Sequence, residues 1–227
     1  MRKFTTPENT KKFYNGIGHK IYQPFMKLAG YQKVLPAAMN QLLSHVELKD
    51  GDKILDVGVG TGIVTINLLK ECKKDVRVVG VDISEKQLEI AERNLKKENL
   101  EDKIELRAAD ASKLPFDDNS FDFVLSTGMI EHLCMHGDLK RVKPVVREMV
   151  RVLKPRRKLF ILTVSDRFWG KVTAFMWQMG YYSEDDVGDM MENAGLKDVE
   201  ILSFDVKGLR FPKSAGITAI GTKNESY

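Results

Sequence analysis

"ILDVGVGTGIVTINLL", from Ile54 to Leu69, passes from residues of buried-strand character through an acid and three alternating glycines into an apolar helix pattern. Glycine at 58, 60 and 62 lets the backbone turn sharply and approach a ligand, since no Cβ blocks positive φ or main-chain contact. The helix that follows aims its free N–H groups at the same point. A strand, a glycine turn and a helix in that order point to an α/β fold with a ligand at the turn. Two ligand classes fit badly. A triphosphate loop needs Gly-x-x-x-x-Gly-Lys-Ser/Thr, and Gly62 is followed by Ile63, Val64 and Thr65, with no lysine. The dinucleotide pattern Gly-x-Gly-x-x-Gly, started at Gly58, puts its third glycine at 63, where the chain has Ile63.

Asp56 separates the remaining options. A carboxylate two residues before the first glycine repels a pyrophosphate, at a cost that grows as water is excluded. An ammonium group reverses that sign. S-adenosylmethionine carries an ammonium and no phosphate, and "LDVGVGTG" resembles the first motif of the class I S-adenosylmethionine-dependent methyltransferases. Later acids agree. "RVVGVD" reads as a second buried strand ending in Asp82, about twenty residues beyond the glycines, where a carboxylate accepts both ribose hydroxyls. Ser84 caps a helix with apolar residues at Leu88, Ile90, Ala91 and Leu95, and Asp110 follows a third strand. The resemblance implies that Asp110 accepts from the adenine amino group, with Ile83 and the Asp110–Ala111 backbone flanking the ring. The expected cofactor site is therefore Asp56, Gly58, Gly60, Thr61, Gly62, Asp82, Ile83, Asp110, Ala111 and Thr127, with Tyr14 from the N-terminal part.

Strands are expected near 53–57, 76–81, 104–108, 121–125, 158–164, 198–204 and 215–221, with helices between most of them. This predicts a Rossmann-like, mainly parallel seven-stranded sheet with helices on both faces. The link "DVKGLRFPKSAG" is too short for a crossover helix, so the last strand is expected antiparallel. Residues 1–46 read as an N-terminal helical lid or extension, and residues 47–227 as the cofactor-binding domain. The 227 residues suffice for a core, and 43% hydrophobic with 30% charged residues are globular values. Cys72 and Cys134 form no disulfide or zinc pattern, and no apolar run is long enough to span a bilayer, so a cytoplasmic protein is expected.

"FYNGIGHKIYQPF", "LPFDDNSFDFVLSTGMIEHL" and "REMVRVLKPRRKLFILTVS" resemble the ubiquinone/menaquinone-type methyltransferases, the type 11 group. The chain departs from them at Asn15 and Gln23, where Asp is usual, and at "KPRRK" in place of Lys-Pro-Gly-Gly. The resemblance implies methyl transfer to a small hydrophobic or aromatic acceptor: a quinol-like compound, phenol, thiol, amine or lipid headgroup. Aromatic residues between Phe13 and Tyr31 form either a lid or a packing helix, with Tyr22 a candidate acceptor contact. In "FWGKVTAFMWQMGYY", Phe168, Trp169, Val172, Phe175, Met176 and Met179 share one helical face, which is expected to pack on the body, and Trp177 points away. Trp169 is the second candidate acceptor contact.

A sulfonium is already an activated donor, so catalysis needs mainly in-line positioning and exclusion of water, with a base where the acceptor carries a proton. Glu131, His132, His136 and Asp138 follow strand four, and His132 is the expected base. His132 and His136 are spaced for a metal on one helix face, but Gly128 and Gly137 interrupt the run and no second ligand cluster occurs, so no metal is expected.

Charge raises another class of function. Residues 1–33 hold seven basic and one acidic side chain, and residues 140–158 hold nine and one, so these blocks carry +6 and +8 against −10 for the remainder. The N-terminal block suits peripheral contact with an anionic membrane. In the second, Lys143, Arg147, Arg151 and Lys154 form a basic stripe opposite Val142, Val145, Val146, Met149 and Leu153. That stripe offers RNA methylation as the alternative function. Against it, "STGM" after strand four lacks the Asn/Asp-Pro-Pro-aromatic run of amino-directed nucleic-acid methylases. A non-catalytic S-adenosylmethionine-binding module is the remaining alternative.

Overall fold

Seven strands form the sheet: β1 (Lys53–Val57), β2 (Arg77–Asp82), β3 (Ile104–Ala108), β4 (Phe121–Thr127), β5 (Leu153–Val164), β6 (Leu196–Leu202) and β7 (Gly216–Lys223). This is a computed structural model that describes residues 31–133, 139–177, 179–202 and 216–225, together with Gly16; side chains at 31–35, 37, 176 and 177 are not described. Helices α1 (Tyr31–Ser44), α2 (Ile63–Glu71), α3 (Glu85–Lys97), α4 (Val142–Val152), α5 (Phe168–Trp177) and α6 (Glu184–Glu192) alternate with the strands.

The sheet order is β3-β2-β1-β4-β5-β7-β6. Pairs among β3, β2, β1, β4 and β5 are parallel, and β7 lies between β5 and β6, antiparallel to both, as expected from the short link. Strand order reverses between β1 and β4, which opens a crevice at their carboxyl ends. Alternate residues feed opposite cores. Leu55, Val57, Val124, Leu159 and Ile161 face one cluster with α4 and α6, while Ile54, Phe123, Leu125 and Phe160 face another with α1 and α2. Met39 and Leu42 of α1 are buried in the second cluster, so the helix that ends the N-terminal part is packed on the sheet.

Helix α4 docks through Val142, Val145, Val146, Met149, Val150 and Val152, all fully buried. Valine is a weak helix former, so packing rather than propensity holds this helix, at about 1.5–3 kcal/mol per buried side chain. The basic side chains opposite are not a uniform stripe. Arg151 donates to the carbonyls of Leu114 and Phe116 (3.1 and 2.8 Å) and pairs with Glu148 and Asp118, both at 2.7 Å. Lys154 and Arg157 close on the buried carboxylate of Asp122 (2.9 and 3.0 Å), which also accepts from the Lys53 backbone N–H. Two of the four expected stripe residues thus hold the frame.

Strand β5 begins at Leu153, five residues before the expected start, and Leu153 pairs with Phe121 ahead of a register shift. The shift accommodates Arg156 at φ 62, a left-handed conformation that favours glycine. The "KPRRK" departure is therefore a bulged strand whose Lys154 and Arg157 neutralise Asp122 and Asp52 at the amino end of the sheet.

Helix α5 packs differently from the expectation. Phe168 (71% exposed), Trp169 (45%) and Phe175 (86%) face outward, while Gly170 and Ala174, one turn apart, are buried. The approach is close enough that a Cβ on Gly170 would lie 1.9 Å from the Ser165 carbonyl oxygen. Gly170→Ala should therefore displace α5 and cost about 1–3 kcal/mol, as overpacking does. Thermal unfolding checks this: an unchanged midpoint would show that the contact does not anchor the helix.

Candidate active site

The crevice at the β1/β4 reversal is a cavity walled by the ends of β1, β2, β3 and β4 and by the first turns of α2 and α3. Its floor is the glycine turn. Gly58 sits at φ 84, and a Cβ there would lie 2.4 Å from the Met129 side chain, so glycine lets the β1 and β4 loops touch. Gly58, Gly60 and Thr61 line the cavity, as do Asp82, Ile83, Asp110, Ala111, Thr127 and His132. Nine of the expected residues thus meet in one place.

Asp82 ends β2 with its carboxylate held from two sides. Oδ2 accepts the Gly60 N–H at 3.0 Å and Oδ1 the Ser84 N–H at 2.8 Å. Burial raises its pKa, and the backbone N–H groups of Ser84, Gly60 and Ile83 act against that rise. Each oxygen keeps a lone pair for a further donor. Asp110 is exposed, and its Oδ1 takes both the N–H and the hydroxyl of Ser112 at 2.8 Å, an Asx turn that fixes the carboxylate at the rim. The loop beyond is tied to α4: Glu148 accepts the Leu114 N–H at 2.9 Å, and Arg151 takes the Leu114 and Phe116 carbonyls.

Two expected residues lie behind the wall. Gly62, at φ 76, caps α2 and packs on Ala91 of α3, where a Cβ would come within 3.3 Å. Asp56 is 1% exposed and accepts a hydrogen bond from the Thr65 hydroxyl, while its Oδ1 has no partner among the described residues. Burial, opposed by Thr65 and reinforced by the nearby Asp82 charge, pushes Asp56 up to about 7. Trp169 is not brought into the cavity; its ring meets Phe168 edge-on at 5.2 Å on the outer side of α5. Tyr14, Tyr22, Cys134, His136 and Asp138 lie outside the described residues. Among the described residues no acidic, histidine or cysteine cluster could hold a metal.

His132 closes a short 3₁₀ turn, Ile130–His132, after β4. The turn is pinned from behind: Tyr182 donates its hydroxyl to the Ile130 carbonyl at 3.0 Å, and the Gly180 N–H reaches the Glu131 carbonyl at 2.7 Å. Burial lowers the His132 pKa to about 4, so the imidazole is neutral at physiological pH. Glu131 points the other way, 4% exposed, and accepts from the Thr163 hydroxyl at 3.0 Å. Glu131 is thus an anchor for the turn.

Burial also pushes Glu131 up to about 7, against the pull of its own backbone N–H and of Thr163. A raised carboxyl keeps its proton in the folded protein where the unfolded chain has lost it, so its stabilising effect is full below pH 4.5 and fades as pH rises through 7. Glu131→Gln keeps an acceptor for Thr163 and removes the ionisation. Relative to the parent, the variant should gain on the order of 2–3 kcal/mol between pH 5 and 8. Denaturant unfolding across that range checks it, and parallel curves for the two proteins would contradict it.

Sequence reasoning missed the apolar lining, Val59, Ile63, Val64, Met129 and Leu133, and the polar Ser84 and Gln87. Gln87 was detectable, because it precedes Ala91 and Leu95 by four and eight residues and so interrupts the buried stripe of α3 with an amide.

Residues 55–161 match the family model described as "Methyltransferase domain". The demethylmenaquinone methyltransferase of Lactobacillus johnsonii is 36% identical over 126 residues, covering 55% of this chain and 49% of that protein. That of Symbiobacterium thermophilum is 33% identical over 168 residues, covering 72% and 63%. The chain spans about half the length of the curated relatives it matches. Among solved structures, geranyl diphosphate C-methyltransferase from Streptomyces coelicolor A3(2), in complex with Mg2+, geranyl diphosphate and S-adenosyl-L-homocysteine, superposes with a TM-score of 0.64 at 16% identity over 82% of this chain and 79% of that one, a likeness of fold. Residues 55–161 thus match the methyltransferase-domain family, and the seven-stranded sheet around them is Rossmann-like, as in class I S-adenosylmethionine-dependent methyltransferases.

Proposed function

We infer that the protein transfers the methyl group of S-adenosylmethionine to a small hydrophobic or aromatic acceptor. The observation that carries this reading is the chemistry of the cavity wall. Asp82 and Asp110 offer acceptors at two strand ends, glycine backbone lines the floor, and no lysine or arginine is among the described lining residues. That set suits a ligand with hydroxyls, an amino group and no phosphate.

When bound, S-adenosylmethionine supplies an electrophilic methyl carbon on its sulfonium. Asp82 receives the ribose hydroxyls, while Ile83, Ala111 and Asp110 hold the adenine. Thr127, Met129, Leu133 and His132 shape the other end, where apolar side chains exclude water. Neutral His132 accepts a proton from an acceptor hydroxyl, thiol or ammonium at an imidazole nitrogen. In this reading the N-terminal part, residues 1–46, is the lid or extension, and Tyr14 is assigned to the cofactor and Tyr22 to the acceptor. The names of the relatives, which include menaquinone precursors and a rifamycin, support an acceptor of this kind. No helix among the described residues is long and apolar enough to cross a membrane, and a cytoplasmic site of action, with the basic N-terminus touching anionic lipid, fits a lipid-soluble acceptor.

A screen with labelled methyl donor against quinols, phenols, thiols, amines, phospholipids and RNA tests the reading. Label should pass to a small apolar acceptor, and transfer to RNA alone would overturn it. The stripe can be probed without disturbing the frame: Lys143→Gln with Arg147→Gln leaves Arg151 and Lys154 in place. Turnover of the small acceptor should stay within about twofold in this variant, with no change in its salt dependence. An RNA-binding face would instead lose about two units of slope in log K against log salt.

A further inference from the structure

The sheet ends in β3 on one side and β6 on the other, and the two edges differ. At β6 the ladder to β7 shifts register between Lys197 and Glu200, with Asp198 at φ 50. A bulge of this kind twists an edge away from further strands. Strand β3 has no such defence. Ile104 to Ala108 pair with Val78 to Asp82 without a shift, and the strand "IELRA" holds no proline, glycine or lysine. Among the described residues no segment pairs with its outer side. A regular edge with free main-chain groups is a template for another strand.

The register of β3 defines what that template offers. The Ala109 N–H bonds to the Asp82 carbonyl at 3.1 Å, so Glu105 and Arg107, in phase with Ala109, turn their main-chain groups toward β2. Ile104, Leu106 and Ala108 turn theirs outward. Side chains alternate with the same period. Ile104 packs against the cluster shared with α1 and α2, and Leu106 and Ala108 stand on that same face. Glu105 and Arg107 stand on the other, their side chains 55% and 45% exposed, with Arg107 over the Phe116 ring at 5.3 Å. A strand laid antiparallel on this edge and centred on Leu106 finds a match on both faces when its sequence is that of β3 itself. Ile104 then falls opposite Ala108, and Leu106 opposite Leu106, so the outward-turned residues exchange main-chain bonds and meet apolar side chain to apolar side chain. Glu105 falls opposite Arg107, in the closely spaced positions between those bonds, where opposite charges attract. A parallel, in-register pairing would instead set Glu105 against Glu105. Twofold symmetry requires this kind of self-complementarity, each residue meeting its counterpart's partner. We propose that two copies of the chain associate through β3, antiparallel about a twofold axis at Leu106, so that two seven-stranded sheets become one. The contact is five residues long on each side, which places it among small, concentration-dependent interfaces. It ends at the cavity rim, because Ala109 and Asp110 follow the strand directly.

Sedimentation velocity of the full chain at on the order of 1–200 μM tests this, with circular dichroism and thermal unfolding as the control for folding. The parent should pass from monomer to dimer across that range. Leu106→Pro deletes an outward N–H and no bond to β2, so it should stay folded and remain a monomer. Arg107→Glu and Glu105→Arg each line the contact with charges of one sign, and each should weaken association by about tenfold or more. Mixed in equal amounts, these two variants should recover the dimer, since one then supplies the acids and the other the bases. The double exchange, Glu105→Arg with Arg107→Glu, should associate like the parent. The charge variants lie on exposed side chains, so they decide the matter even where Leu106→Pro fails to fold. A parent that stays monomeric throughout overturns the proposal. A dimer that survives both single charge variants also overturns it, because association then uses another surface, and so does a mixture that associates no better than either variant alone.

Discussion

Asp82→Ala should weaken S-adenosylmethionine binding by about 2–3 kcal/mol, a factor of about 30–150, because a buried carboxylate that accepts two hydroxyls contributes charge-assisted hydrogen bonds. The loss should fall on affinity, with the sheet intact, since Asp82 stands at the end of β2 and its removal frees backbone N–H groups of Gly60, Ser84 and Ile83 beyond the strand pairing. The Gly60 N–H belongs to the glycine turn and the Ser84 N–H to the start of α3, so Asp82→Asn separates the effects. The asparagine oxygen keeps one backbone contact and loses the charge, and it should give an intermediate affinity. Calorimetry on the three proteins checks the order. Equal affinities would remove Asp82 from the ribose site.

His132→Ala should lower kcat on an acceptor that must lose a proton by about 10²–10⁴ and leave cofactor affinity nearly unchanged. The pH profile carries the distinguishing information. With its pKa pulled down to about 4 by burial, His132 is in the base form throughout the neutral range, so a rate limited by this base should be flat from about pH 5.5 upward and fall only as pH drops toward 4. Glu131 behind it should respond differently. Glu131→Gln alters stability with pH, and turnover should follow only as far as the turn stays folded. A His132→Ala protein that turns over normally on every acceptor would make the imidazole a wall of the cavity and nothing more.

The parts of the molecule that could be read from the chain are those where one residue type answers one local need. Glycine at 58 and 60, the acid at 82 and the acid at 110 each follow a strand at the spacing the parallel sheet imposes, and all of them meet in the cavity. The antiparallel β7 followed from the length of a link. What could not be read depends on contacts between distant segments. Arg151 and Lys154 look like free charges along a helix, yet their partners lie about thirty residues earlier in the chain, at Asp118 and Asp122. Helix α5 is apolar nearly all round, so periodicity favoured the face of its large residues, Phe168, Trp169 and Phe175, whereas the side that packs is chosen by the smallest, Gly170 and Ala174. Asp56 was placed in the site by its chemistry, and the fold sets it behind the loop with Thr65. Gln87 lay in plain view as a polar break in an apolar stripe, but a single glutamine has no meaning until the stripe is known to face a cavity.

The most direct test of the central claim is a calorimetric titration of the full chain with S-adenosylhomocysteine, run beside NAD+ and ATP at the same concentrations. A cavity with two carboxylates and no lysine or arginine among its described lining residues should bind S-adenosylhomocysteine at one site per chain and give no saturable heat with either phosphate ligand. Saturable binding of NAD+ or ATP, with none of S-adenosylhomocysteine, would contradict it.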